Sequence, residues 1–144
     1  IDQLVSIAAR AMSPAVNDPF TAKMCLDRLG QGLCKLGARP LPSGRRYDDS
    51  GHLRVITQAI TFESVFFRAF DEIRQSGGRD LAVAIHLLNL FSVIGECVRD
   101  EHWTVILPYT NAVWRECRAG LTEDLDIRRL DATYYQTKHA LKAD

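Results

Sequence analysis

Five polar side chains share one side of a predicted helix that runs from about residue 81 to about residue 100: His86, Asn89, Ser92, Glu96 and Asp100. At about 100° of rotation per residue, they fall within about a third of the circumference. In a pocket, His86 and Glu96 would be a base and an acid able to move a proton. A solvated edge on an otherwise buried helix explains the stripe with fewer assumptions. We expect that edge, with His86, Asn89 and Glu96 as candidate ligand-binding residues.

A second candidate site lies where Asn17-Asp18-Pro19 starts a predicted helix. Backbone N–H groups at a helix start bind anions such as phosphate. Asp18 argues against an anion, because a carboxylate at the cap accepts those donors and repels a second negative charge. A structural cap is therefore the favoured interpretation, and a cationic or neutral ligand would fit better. For a ligand site, Asn17 and Asp18 would act with Asp27 and Arg28, and they would have to converge with the stripe around His86.

The spacing of residues gives little support to a metal site or to a common type of catalytic site. The candidate metal ligands are Glu96, Cys97, Asp100, Glu101 and His102. HExxH, CxxC and EF-hand spacings are absent, and so are GxSxG, the P-loop and GxGxxG. We assign no catalytic residue, no metal and no cofactor, and the interpretation leans away from an enzyme.

The charges of the chain are balanced, with 18 Lys plus Arg and 18 Asp plus Glu. Such a chain has no general field to attract a polyanion, so we expect no nucleic-acid partner. Four arginines nevertheless cluster around a predicted hairpin, partly offset by Asp48 and Asp49: Arg39, Arg45, Arg46 and Arg54. Contact with anionic lipid is one interpretation of this cluster, and solvated loop charges are the expected one.

The four cysteines, Cys25, Cys34, Cys97 and Cys117, form no CxxC pair. A chain of this length does not need disulfides to fold. We interpret them as free thiols, mostly buried, which favours a reducing compartment such as the cytoplasm.

Three aromatic residues, Trp103, Tyr109 and Trp114, lie near the start of a predicted fifth helix. An exposed patch of this kind would suit a partner, but such residues more often cap a core. We expect them to cap the core.

The elements that must position these residues are mostly helices. Apolar spacing predicts helices over residues 2–12, 19–37, 62–77, 81–100, 104–119 and 122–142. Asp18, Thr61 and Asp80 are the predicted N-caps, and Phe20, Met24, Leu29, Leu33 and Leu36 form the predicted apolar stripe of the second helix. Turn residues and alternation predict a hairpin at about residues 44–57. The fold class is therefore mainly α: a single domain over residues 1–144, a bundle of about six helices with a small inserted hairpin, whose fourth helix is central.

One segment carries a family resemblance. Residues 10–22 read RAMSPAVNDPFTA and are followed by Cys25-Leu26-Asp27-Arg28-Leu29. Together they resemble the domain of unknown function 2254 (DUF2254) family of predicted bacterial membrane proteins. Asp49-Ser50-Gly51, Thr61-Phe62-Glu63 and FDEIRQ at 70–75 follow the same pattern in the same order. Ser76 departs from it, and the likeness fades beyond about Glu96.

The resemblance implies that an intact member carries membrane-spanning helices before Ile1 and resides in the bacterial cell membrane. The chain would then be the soluble C-terminal portion of a longer protein. The resemblance brings no catalytic residues with it. The leading hypothesis is a noncatalytic domain for self-assembly, as a homo-oligomer, or for ligand sensing. The alternatives are a small-molecule-binding or enzymatic domain that uses the polar stripe, and a peripheral module that contacts anionic lipid.

Overall fold

The computed structural model describes residues 1–142 and confirms a mainly α fold with a small hairpin. The α-helices are α1 (Asp2–Ala11), α2 (Pro19–Gly37), α3 (Phe62–Gly77), α4 (Leu81–Cys97), α5 (Trp103–Arg118) and α6 (Asp124–Ala140). The strands β1 (Arg45–Tyr47) and β2 (Leu53–Ile56) pair antiparallel between α2 and α3. A short 3-10 helix, Asp100–His102, precedes α5. No helix among residues 1–142 is both long enough and apolar enough to cross a membrane.

The three predicted N-caps are confirmed by their hydrogen bonds. Asp18 accepts the N–H of Thr21 at 3.1 Å, and Asp80 accepts the N–H of Val83 at 2.9 Å. Thr61 accepts the N–H of Ser64 at 3.1 Å, while the Ser64 hydroxyl accepts the N–H of Thr61 at 3.2 Å. Each bond satisfies a backbone donor that has no partner within the helix, so local sequence decides where these helices begin.

Several helix bounds differ from the predicted ones. α4 ends at Cys97 rather than near Asp100, because Val98 is extended, with φ −99° and ψ 167°. Its buried side chain packs against Gly37 at the end of α2. α6 begins at Asp124, since Glu123 is still extended and Thr122 makes no cap.

Pro108 lies inside α5, beyond its first turn. A proline inside a helix removes one backbone hydrogen bond, to the carbonyl four residues earlier. Both Pro108 and Thr104, which carries that carbonyl, are exposed. Water can therefore hydrogen-bond to the freed carbonyl, which lowers the cost of the missing bond.

The predicted apolar stripe of α2 is wrong at its first turns. Phe20 and Met24 are 71% and 55% exposed, whereas Leu29 and Leu33 are buried as expected. The buried face also includes Ala22, Cys25 and Leu26. The reason is that α1 and α4 pack against α2 along the side that carries these smaller residues.

The hydrophobic core is centred on α4, as predicted, and α4 contacts α2, α3, α5 and α6. Three aromatic rings link α3 to α4. The centroid of Phe66 lies 4.8 Å from that of Phe70 and 5.4 Å from that of Phe91, and Phe70 lies 5.2 Å from Phe91. All three side chains are fully buried, so they hold the middle of the molecule together.

Candidate functional site

The candidate site is a groove between α2 and α4, which run side by side in the same direction. Their contacts advance together along both chains: Asp27 with His86, then Gly30 with Leu90, then Gly37 with Val98. A Cβ added to Gly30 would overlap the Leu90 side chain, so the two helices approach closely there. The close approach sets the bottom of the groove and places the side chains of both helices along its walls.

Asp27 and His86 meet at one end of this groove. The Nε2 atom of His86 lies 2.7 Å from the Oδ1 atom of Asp27. An ionised carboxylate only accepts hydrogen bonds, so Nε2 carries the proton. In the neutral imidazole, Nδ1 is then an acceptor. The His86 side chain is 27% exposed and that of Asp27 is 51% exposed, so both are accessible from solvent.

The groove encloses about 540 Å³, which lies within the usual range for small-molecule sites. Its lining residues are Asp27, Gly30, Gln31, Cys34, Lys35, Leu90 and Val93. The Asp27 carboxylate and the Lys35 ammonium lie eight positions apart on α2, about 12 Å along the axis. A ligand in the groove would therefore meet a negative charge at one end, a positive charge at the other, and apolar side chains between them.

Of the predicted site residues, only Asp27 and His86 are brought together. Asp18 lies nine positions before Asp27, about 14 Å along α2, and Glu96 lies ten positions after His86, about 15 Å along α4. Asn89 and Glu96 are exposed, and within residues 1–142 neither bonds to His86 or Asp27.

Asp18 is used by the helix start. Its Oδ1 and Oδ2 atoms accept the N–H and the hydroxyl of Thr21, at 3.1 and 2.5 Å, and these bonds lower the pKa of the Asp18 carboxyl. Asn17 adopts a left-handed conformation, with φ 46°, at the turn between α1 and α2. Both residues have a structural role here.

Arg28 does not itself line the groove, although Gln31, which it contacts, does. Its guanidinium donates to Gln31 at 3.2 Å, and Arg28 borders a separate cavity of about 250 Å³ among α1, α2 and α3.

The sequence interpretation missed Gln31, Cys34 and Lys35, which line the groove itself. Their spacing from Asp27, at positions i+4, i+7 and i+8, was the available signal.

The cysteines are less buried than predicted: Cys25 and Cys117 are buried, Cys34 is half-buried and Cys97 is exposed. Cys34 in the groove wall and Cys97 at the end of α4 lie close enough to interact. Burial, and hydrogen bonding with Cys97, raise the pKa of the Cys34 thiol to about 12. Within residues 1–142, no three His, Cys, Asp or Glu side chains come together as a metal site would require.

The aromatic residues of α5, Trp103, Tyr109 and Trp114, cap the core, as expected. The indole of Trp103 donates to the Gly95 carbonyl at 3.0 Å, and that of Trp114 donates to Asp131 at 2.6 Å. The Tyr109 hydroxyl donates to Asp71 at 3.3 Å. Each ring is half-buried with its polar atom satisfied, an arrangement that suits the edge of a core.

Comparison with known proteins identifies one matching family and two proteins of similar sequence. The DUF2254 family model, described as "Predicted membrane protein", matches residues 1–92. An uncharacterized protein of Mycobacterium bovis is 36% identical over 125 residues, which are 86% of this chain and 24% of that protein. An uncharacterized protein of Mycobacterium tuberculosis gives the same identity and coverage. The chain thus spans about a quarter of the length of these relatives. No solved structure matches it significantly.

Proposed function

Because the chain belongs to the DUF2254 family of predicted membrane proteins, as its motifs predicted, we propose that it is a noncatalytic, ligand-sensing domain of a longer membrane protein. The ligand site is the groove between α2 and α4. The observation that carries this proposal is the contact between Asp27 and His86, two residues of different helices that meet at 2.7 Å at the end of that groove.

The polar groups of the groove define the ligand class. Asp27 offers hydrogen-bond acceptors at one end, while Leu90 and Val93 offer an apolar surface beside it. A primary amine with an apolar body satisfies both, because its ammonium group would pair with the carboxylate and its body would cover the apolar side chains. An anion would be repelled by Asp27.

A binding role fits the pair better than a catalytic one. A histidine held by a carboxylate activates a nucleophile when a hydroxyl or thiol lies within hydrogen-bond reach. In the described part of the chain, no hydroxyl or thiol hydrogen-bonds to His86. Ser92, six positions further along α4, is about 9 Å away along the helix axis.

Titration of the ¹⁵N-labelled chain with tyramine and phenethylamine tests the proposal. We expect shift changes in the amides of Gln31 and Val93, which line the groove, and not in those of α6. Asp27→Asn removes the charge of the acceptor and should abolish these changes. The matched control is Glu72→Gln on α3, an exposed acid that lies outside the groove. Groove resonances that stay unmoved with both amines, or that move equally in Asp27→Asn, would contradict a cation-sensing groove.

Self-assembly is a second candidate function, favoured by the exposure of Phe20 and Met24. These large apolar side chains lie one turn apart on α2 and are 71% and 55% exposed. Burying such a pair against a second copy would remove apolar surface from contact with water, which favours association. Light scattering should then show a dimer that dissociates in Phe20→Ser/Met24→Ser but not in Tyr135→Ser, which changes an exposed aromatic residue on α6. A wild-type chain that stays monomeric at high concentration would eliminate this candidate.

A further inference from the structure

The hairpin of β1 and β2 is the least covered element of the described chain. Every residue of both strands is exposed, including Tyr47 at 57% and Ile56 at 72%. Its tip is well formed: the Asp48 carboxylate accepts the backbone N–H groups of Ser50 and His52 at 3.0 and 2.9 Å, and Gly51 adopts φ 79°. The hairpin is thus an ordered projection of the chain rather than a loose loop.

The register of the hairpin sorts its side chains onto two faces. Arg46 pairs with Val55 and Tyr47 pairs with Leu53, with an irregularity between Arg46 and Tyr47. Paired residues share a face, and consecutive residues of a strand alternate between the two faces. One face therefore carries Arg45 and Tyr47 with their partners Ile56 and Leu53. The opposite face carries Arg46 with Val55, because the irregularity in β2 places Leu53 and Val55 on different faces.

The positive charge of the hairpin is only partly neutralised. Arg54 donates to Asp48 at 2.7 Å and is held by that carboxylate. Arg46 donates to the backbone carbonyl of Ser43 at 2.6 Å, which leaves its charge uncompensated. Among residues 1–142, neither Arg45 nor Arg46 forms an ion pair with an acidic side chain. Each face of the hairpin thus carries one arginine beside exposed apolar side chains.

A two-stranded hairpin in water is marginally stable, and an apolar face with a charged rim is typical of a surface that meets a partner. Arginines beside apolar side chains suit the boundary of a bilayer, where the side chains enter the headgroup region and the guanidinium groups reach the phosphates. We propose that this hairpin docks on an anionic lipid bilayer, with Tyr47, Leu53 and Ile56 inserted and Arg45 and Arg46 bound to lipid phosphates. The charge complementarity and the membrane setting of the family single out this occupant. The inference is independent of the groove between α2 and α4.

Co-sedimentation with vesicles tests the proposal. The chain should bind vesicles made of equal parts of phosphatidylglycerol and phosphatidylcholine, release them at high salt, and leave pure phosphatidylcholine vesicles unbound. Arg45→Gln/Arg46→Gln should lower the partition coefficient about 25-fold, at about fivefold for each arginine. The matched control is Arg128→Gln/Arg129→Gln on α6, which removes the same charge from exposed positions and should change the coefficient less than twofold.

A further variant, Tyr47→Ser/Ile56→Ser, tests insertion and should weaken binding at constant charge. These side chains are exposed, so all variants should keep the wild-type circular dichroism spectrum and melting temperature. Three outcomes would overturn the proposal. The wild-type chain could fail to bind anionic vesicles. The α6 variant could lose as much binding as the arginine variant of the hairpin. The hairpin variants could also abolish a dimer that forms without lipid. The last result would show that a second copy covers the hairpin.

Discussion

At the scale of single residues, burial separates the four thiols of the chain. It raises the pKa of Cys25, that of Cys34 to about 12 and that of Cys117 to about 11, because a thiolate is poorly solvated inside the protein. Cys97 is exposed at the end of α4. Since the thiolate is the reactive form, a raised pKa makes a thiol slow to react at neutral pH.

We therefore expect Ellman's reagent at pH 8 to modify one thiol of the native chain rapidly and the other three slowly. At that pH, a thiol with a pKa of about 12 is ionised to about one part in ten thousand. Cys97→Ser should remove the rapid phase, and guanidinium chloride should make the remaining three thiols react together. A rapid phase that survives in Cys97→Ser and disappears in Cys117→Ala would contradict this order.

At the scale of the elements, the contact between α2 and α4 depends on the size of the residue at position 30. A Cβ at Gly30 would overlap the Cδ1 atom of Leu90, whereas a Cβ at Gly32 would meet nothing within 4 Å. Both glycines lie inside the same helix, where alanine is favoured by about 1 kcal/mol. They differ, therefore, only in what the added methyl group meets.

Two alanine variants compare these positions directly. Gly32→Ala should raise the free energy of unfolding by about 1 kcal/mol, because only the helix propensity changes. The free energy of unfolding of Gly30→Ala should be about 1–3 kcal/mol lower than that of Gly32→Ala, because Leu90 must shift to admit the methyl group. Urea denaturation measures both values. Equal effects of the two variants would mean that α2 and α4 do not approach as closely as described.

At the scale of the whole molecule, the rings of Phe66, Phe70 and Phe91 join α3 to the central helix α4. Fully buried aromatic residues at such a junction couple the elements on both sides. We expect Phe91→Ala to cost about 3–5 kcal/mol of stability, since it leaves a cavity between these helices. Denaturation followed by far-UV circular dichroism and by tryptophan fluorescence measures this loss.

The same experiment tests the prediction of a single domain. The fluorescence of Trp103 and Trp114 reports on α5, whereas circular dichroism reports on all the helices. In one cooperative unit the two transitions coincide, in the wild type and in Phe91→Ala. A fluorescence transition that precedes the loss of helix would divide the chain into two units.

Much of the fold follows from local sequence, because the relevant interactions act within a few residues. Asp18, Thr61 and Asp80 cap their own helices through bonds to residues three positions later. The turn at Asp48 to Gly51 likewise closes the hairpin with its own side chains and backbone. The predicted end of α4 was wrong, because Val98 leaves the helix and packs against Gly37, a residue distant in sequence.

The candidate site divides in the same way. Sequence alone identified Asp27 and His86 as candidate ligand-binding residues on two different helices, and it located the family motif around Asp18. Only the tertiary structure decided that Asp27 and His86 touch, that Glu96 does not join them, and that Phe20 faces solvent. Periodicity determines which side chains share a face of one helix, but it contains no information about which neighbouring helix that face meets. That choice was made by packing, through the close approach of α2 and α4 at Gly30.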